Sequence, residues 1–141
     1  MIQRIQTLWL LVATILGIVS LKTSFYSGHR INDSLPKSVV FITGSTHLLL
    51  ILCATGIAFA SFIGIFLFKH RKLQLKICIA ASILSIINLA LYYWQTQRFI
   101  AAESSYTLTA LIPLAIPFIL MIAARGIWKD EQLVRSVDRL R

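Results

Sequence analysis

The sequence predicts an all-α integral membrane protein. The expected architecture is a four-helix bundle with both termini in the cytoplasm, a 25-residue outer loop and a cytoplasmic amphipathic C-terminal helix. Three observations predict it. Of 141 residues, 57% are hydrophobic and 13% charged, whereas about a quarter of a soluble domain is charged. The apolar residues gather into four long runs with the charges in blocks between them. Between the second and third runs, Lys69-His70-Arg71-Lys72-Leu73-Gln74-Leu75-Lys76 puts four cations into eight residues. Lys and Arg resist translocation, so such a loop stays on the cytoplasmic side of a membrane.

The first apolar run, about 5–21, follows a polar start with one charge at Arg4. As a helix it would be ~25 Å long, at the short end for a span. A secretory signal peptide has the same outline, but Val19-Ser20-Leu21-Lys22 is a poor cleavage site, so a retained span is expected. Residues 22–46 form the long outer loop. Gly28 and Asn32-Asp33 are turn residues. Val39-Val40-Phe41-Ile42 is β-branched enough for a strand or a membrane-surface segment, and a small hairpin capping the outer end is expected.

The second run, 47–68, has no Asp, Glu, Lys or Arg in 22 residues. Gly56, Ala60 and Gly64 recur every fourth residue, a small-residue stripe that lets helices approach closely in lipid. Such a stripe suits a neighbour in the same chain, and it leaves room for a homo-oligomer. After the basic loop, 69–76, the third span covers about 77–94. Ser82, Ser85 and Asn88 share one face, expected to hydrogen-bond across helices. Tyr92-Tyr93-Trp94 suits the outer interface.

A short outer loop, 95–106, leads to the fourth span, about 107–124. Pro113 and Pro117 lie one turn apart within it, each expected to bend the helix. The cytoplasmic tail, 125–141, places Leu133, Val137 and Leu140 at helical spacing. Cys53 and Cys78 fall at depths differing by roughly 20 Å, too far for a disulfide, which needs Cα atoms within about 7 Å.

The net charge of +9 is distributed for membrane topology rather than for nucleic acid, which is not an expected partner. The start, the middle loop and the tail hold ten Lys/Arg, against four in the other two loops. Positive-inside therefore places both termini in the cytoplasm, with anionic headgroups as the nearest charge partner. All five acidic residues lie outside the spans, which weighs against proton- or sodium-coupled transport. His29, Asp33 and His47 do not make a metal-ligand spacing, and no phosphate loop or nucleophile motif is present. No enzyme, cofactor or metal is expected.

Met1-Ile2-Gln3-Arg4-Ile5-Gln6-Thr7, the 69–76 loop and Lys129-Asp130-Glu131-Gln132-Leu133-Val134-Arg135-Ser136-Val137-Asp138-Arg139-Leu140-Arg141 resemble a family of small integral membrane proteins of the Bacteroidota. That family is described only as a domain of unknown function. The resemblance spans the whole chain and implies a four-helix inner-membrane protein with no activity to carry over. Its motifs all fall on the expected cytoplasmic side. The expected function is thus a non-enzymatic accessory or scaffold subunit. Gln3, Arg4, Gln6, Lys69, Arg71, Lys72, Lys129, Arg135, Asp138, Arg139 and Arg141 would meet a membrane or cytoplasmic protein partner, or lipid headgroups. The alternative is a small oligomeric transporter or channel for a neutral or lipidic solute, using Ser85, Asn88 and the proline kink.

Overall fold

The computed structural model describes residues 2–28, 39–99 and 104–138. Four helices, α1 (Ile2–Ser20), α2 (Leu48–Phe66), α3 (Arg71–Thr96) and α4 (Leu111–Asp138), run up and down in chain order. Each packs against the next, and α4 closes on α1. At one end three short strands, β1 (Ser24–Gly28), β2 (Val40–Thr43) and β3 (Ser105–Tyr106), form an antiparallel sheet of order β2-β1-β3. The other end carries the basic segments.

One sequence rule builds the bundle. In α1 the buried residues Gln6, Leu10, Ala13, Gly17 and Ser20 alternate spacings of four and three. In α2 they are Leu50, Ala54, Ile57, Ser61 and Gly64. In α3 the same alternation runs through Gln74, Cys78, Ala81, Ser85, Asn88, Tyr92 and Gln95. In α4 it runs through Pro113, Ile116, Leu120, Ala123, Ile127 and Asp130. A repeat of 3.5 residues keeps one seam facing its neighbours along a helix, the geometry of side chains interdigitating at small crossing angles. The seam is rich in small and polar residues. Large apolar side chains point outwards instead: Leu8, Leu11 and Ile15 on α1, Phe59 and Phe62 on α2, Ile83 and Ile86 on α3, Phe118 on α4. Helices α2, α3 and α4 are long and apolar enough to cross a membrane, while the apolar stretch of α1, Ile5–Ser20, is shorter.

Hydroxyls on these apolar helices satisfy themselves locally. Thr14, Ser20, Thr55, Ser61, Ser85 and Thr96 each donate to a carbonyl three or four residues back on their own helix. Ser85 therefore does not make the cross-helix bond expected of it, because the carbonyl of Ser82 lies closer to hand at 2.7 Å.

Several expectations are corrected. The stretch 69–76 is not a loop: α3 starts at Arg71, and a single 3-10 turn, Leu67–Lys69, with His70 reverses the chain. Arg, Lys, Leu and Gln are good helix formers, and no Gly or Pro interrupts them. The expected helical tail, by contrast, is present and continuous with the rest of α4, which runs unbroken through Gly126 to Asp138. Gly126 is tolerated because a Cβ there would stand 3.0 Å from Gln6 Cγ, so its value is close approach rather than flexibility. Pro113 does not kink the helix. It lies in the first turn of α4, where the lost N–H has no intrahelical partner, and only Pro117 sits in the interior. The fold is also not purely helical, since the two connections at the sheet end pair with each other.

That pairing has clear causes. Val40, Phe41, Ile42 and Thr43 suit a pleated surface, and β2 lies where the sequence reading placed a strand or surface segment. The register slips between Ser24 and Tyr26, leaving Phe25 at a bulge. From there Phe25 stacks on Tyr92 of α3 at 4.6 Å, and Tyr26 meets Phe99 and Tyr106 edge-on. Thr107 donates its backbone N–H to the Phe25 carbonyl, tying the start of α4 to the sheet. His47 caps α2 by accepting from Leu49 N–H at 3.4 Å.

Gly44 joins β2 to α2 with no room for a side chain. A Cβ there would lie 2.5 Å from the Ser20 carbonyl oxygen and 2.7 Å from Leu21 Cα. A Cβ on Gly56 would meet only the flexible end of Leu84 at 3.1 Å. Gly44→Ala is thus expected to cost about 1–3 kcal/mol by overpacking, and Gly56→Ala clearly less, in thermal unfolding of the purified protein. Equal losses would show that the backbone around Gly44 gives way.

Candidate functional site: the braced basic end

At the basic end, the seam of each helix finishes in a polar or small residue. Gln6 ends the seam of α1, Gly64 that of α2, Gln74 that of α3 and Asp130 that of α4, and all four are buried. They pair across helices. Gln6 Nε2 donates to Asp130 Oδ2 at 2.7 Å, joining α1 to α4. Arg71 Nη1 donates to the Asp130 backbone carbonyl at 3.1 Å, joining α3 to α4. Gln74 Nε2 donates to the Gly64 carbonyl at 2.9 Å, joining α3 to α2. One turn further in, Cys78 Sγ donates to the Leu120 carbonyl at 3.3 Å.

Asp130 is 6% exposed, as is Gln6. Burying a carboxylate is unfavourable unless it is hydrogen-bonded, and a bond to a charged acceptor is worth about 1.5–3 kcal/mol. The node is therefore strong and directional, and its geometry fixes how the four helix ends meet. Among the described residues, no group of three His, Cys, Asp or Glu stands ready to hold a metal, and both cysteines are free thiols.

The structure divides the residues singled out in the sequence. Gln6 and Arg71 turn inwards to Asp130. Lys72 and Lys129 are exposed. Gln3 and Arg4 lie in the first turn of α1, Lys69 in the 3-10 turn, and Arg135 and Asp138 in the last turns of α4. Arg139 and Arg141 lie outside the described residues, as do His29 and Asp33 of the long connection. Gly64 faces Leu10 of α1, Gly56 faces Leu84 of α3, and Ala60 packs on the core, so the small stripe meets helices of its own chain. Asn88 is buried with its Oδ1 unpartnered.

Asp130, Gln74 and Gly126 were not among the singled-out residues. The signal for Asp130 was present: it falls at the next 3–4 step after Ile116, Leu120, Ala123 and Ile127, where an apolar residue would continue the seam. The three segments that carry the sequence resemblance, at the start, the middle and the end of the chain, thus converge on one residue, Asp130, whose carboxylate accepts from Gln6 and whose backbone carbonyl accepts from Arg71.

A family model, DUF4293, described as a domain of unknown function, matches residues 2–140, so the chain belongs to that family. No curated protein matches it.

Gln6→Leu would leave the buried Asp130 carboxylate without its donor. It is expected to lower stability by about 1–3 kcal/mol. The double variant with Asp130→Leu should recover part of the loss, giving a coupling of ~1 kcal/mol or more in a double-mutant cycle. Additive losses would show that the two groups act separately. Asn88→Leu removes an acceptor that has no donor, so the melting temperature should hold or rise. A clear fall would mean that the Asn88 oxygen is used in the folded protein.

Proposed function

We propose that this DUF4293 member is a multi-pass protein of the bacterial inner membrane with both termini in the cytoplasm. In this reading it is a non-enzymatic accessory or scaffold subunit that presents its basic end to a protein partner. The outward-facing apolar side chains on all four helices favour a lipid surround, since soluble monomers rarely expose contiguous apolar patches beyond a few hundred Å². The ten-to-four division of Lys/Arg between the two ends favours the orientation. Helix α1 takes part as the fourth span because it is packed against both α2 and α4.

The observation that carries the accessory role is the shape of the basic end. With 28 residues, α4 is ~42 Å long, outrunning a hydrocarbon core of ~30 Å. Beyond the node it carries exposed Leu133 and Val134 beside the half-exposed Glu131. Apolar side chains presented on a rigid, braced helix in a polar region make a surface suited to a protein. Transport of a neutral solute is the weaker reading, because the seam that a path would follow is occupied by buried side chains from Gln6 to Ser20 and from Gln74 to Gln95.

Two measurements test this. A C-terminal phosphatase reporter that folds only outside the cytoplasm should be inactive, and a fluorescent cytoplasmic reporter active; the reverse would overturn the orientation. In-membrane crosslinking with mass spectrometry should recover a reproducible partner joined through the tail. Arg135→Glu with Arg139→Glu should reduce that recovery severalfold while the protein stays inserted. An unchanged set of crosslinked proteins would overturn the accessory role.

A further inference from the structure

Beside the node, on the outside of the bundle, an open cleft of about 610 Å³ lies between α1 and α4. This falls within the range of roughly 300–1,000 Å³ typical of small-molecule sites. Its lining is graded. Ile5, Trp9 and Ile122 give it apolar walls, and Arg125 and Lys129 stand at its edge. The two cations are four residues apart on α4, hence one turn apart on the same face. Ile122 precedes Arg125 by three residues on that face, so the stripe passes from apolar to cationic towards the basic end. Trp9 and Trp128, also lining the cleft, are the side chains favoured at a membrane interface. Gln6 and Gly126 close the back of the cleft, and their tight approach keeps its width fixed.

We infer that this cleft binds one anionic phospholipid, with the phosphate between Arg125 and Lys129 and an acyl chain against Ile5, Trp9 and Ile122. The inference rests on the membrane placement proposed above. Charge complementarity selects the occupant. A zwitterionic lipid would bring a cation of its own towards Arg125 and Lys129, and a soluble anion would leave the apolar walls uncovered. Basic pockets between helices on the cytoplasmic side suit anionic headgroups for this reason. Asp130 is not among the lining residues; its carboxylate accepts from Gln6.

The full chain carrying Trp94→Phe retains two tryptophans, Trp9 and Trp128, both in the cleft. It would be reconstituted in phosphatidylcholine vesicles containing a small, equal fraction of chain-brominated phosphatidylglycerol or chain-brominated phosphatidylcholine. Bromine quenches an indole that it touches. Phosphatidylglycerol is expected to be enriched at the tryptophans about fivefold for each cation engaged. Arg125→Gln with Lys129→Gln should abolish the preference, while Lys22→Gln with Lys76→Gln, which removes two exposed charges that do not line the cleft, should leave it. Equal quenching by both lipids in the parent would overturn the site, as would a preference that survives the first double variant or disappears equally in the second. Quenching by neither lipid would overturn the membrane placement itself.

Discussion

The fold depends on a packing seam that repeats every seven residues in all four helices. A helix with 3.6 residues per turn can keep such a seam against its neighbours only by crossing them at a shallow angle, and four antiparallel helices satisfy this around one axis. Close approach then requires small side chains at many seam positions: Ala13 and Gly17 on α1, Ala54 and Gly64 on α2, Ala81 and Ser85 on α3, Ala123 on α4. Many further bulky residues, Phe59, Phe62 and Phe118 among them, stand on the outside.

The same seam makes the two ends chemically different. In the middle it is apolar, with Leu10, Ile57, Ile116 and Leu120 in a single cluster. At the basic end it becomes a hydrogen-bonded node in which carboxamides reach across to a carbonyl and a carboxylate. At the sheet end it becomes aromatic, where Tyr92 meets Phe25 beneath the strands. The carboxamide and carboxylate bonds are directional, whereas the apolar middle specifies mainly shape, so the node sets the register of the helices. The binding surfaces proposed for the molecule, the tail of α4 and the cleft beside it, both stand on the helix that this node holds.

Much of the helical framework was legible in the sequence. Apolar runs separated by charge blocks located the helices, and the β-branched run at Val40–Ile42 located β2. What escaped had physical causes. The basic stretch 69–76 looks like a loop by charge alone, but its residues favour a helix, and a single 3-10 turn is enough to reverse the chain. Ser105 and Tyr106 form a strand only because β1 offers them an edge, a long-range pairing with little local signature. The site was half legible. The resemblance pointed to the three segments that converge, and Gln6 and Arg71 were among the residues singled out. Asp130 was hidden because a charged residue in a basic tail reads as solvated unless its seam position is counted. The stripe of Gly56, Ala60 and Gly64 drew attention by its regularity, although only Gly64 lies on the seam.

The bond from Gln6 to Asp130 joins side chains 124 residues apart in the chain. Domains are synthesised from the N-terminus at roughly 5–20 residues per second, so Gln6 emerges well before its acceptor. The seam of α1 therefore remains open on its α4 side until α4 is made. Interrupted synthesis would yield a chain whose first helix, the least apolar in extent, has no latch. Closure of the bundle thus waits on the synthesis of α4.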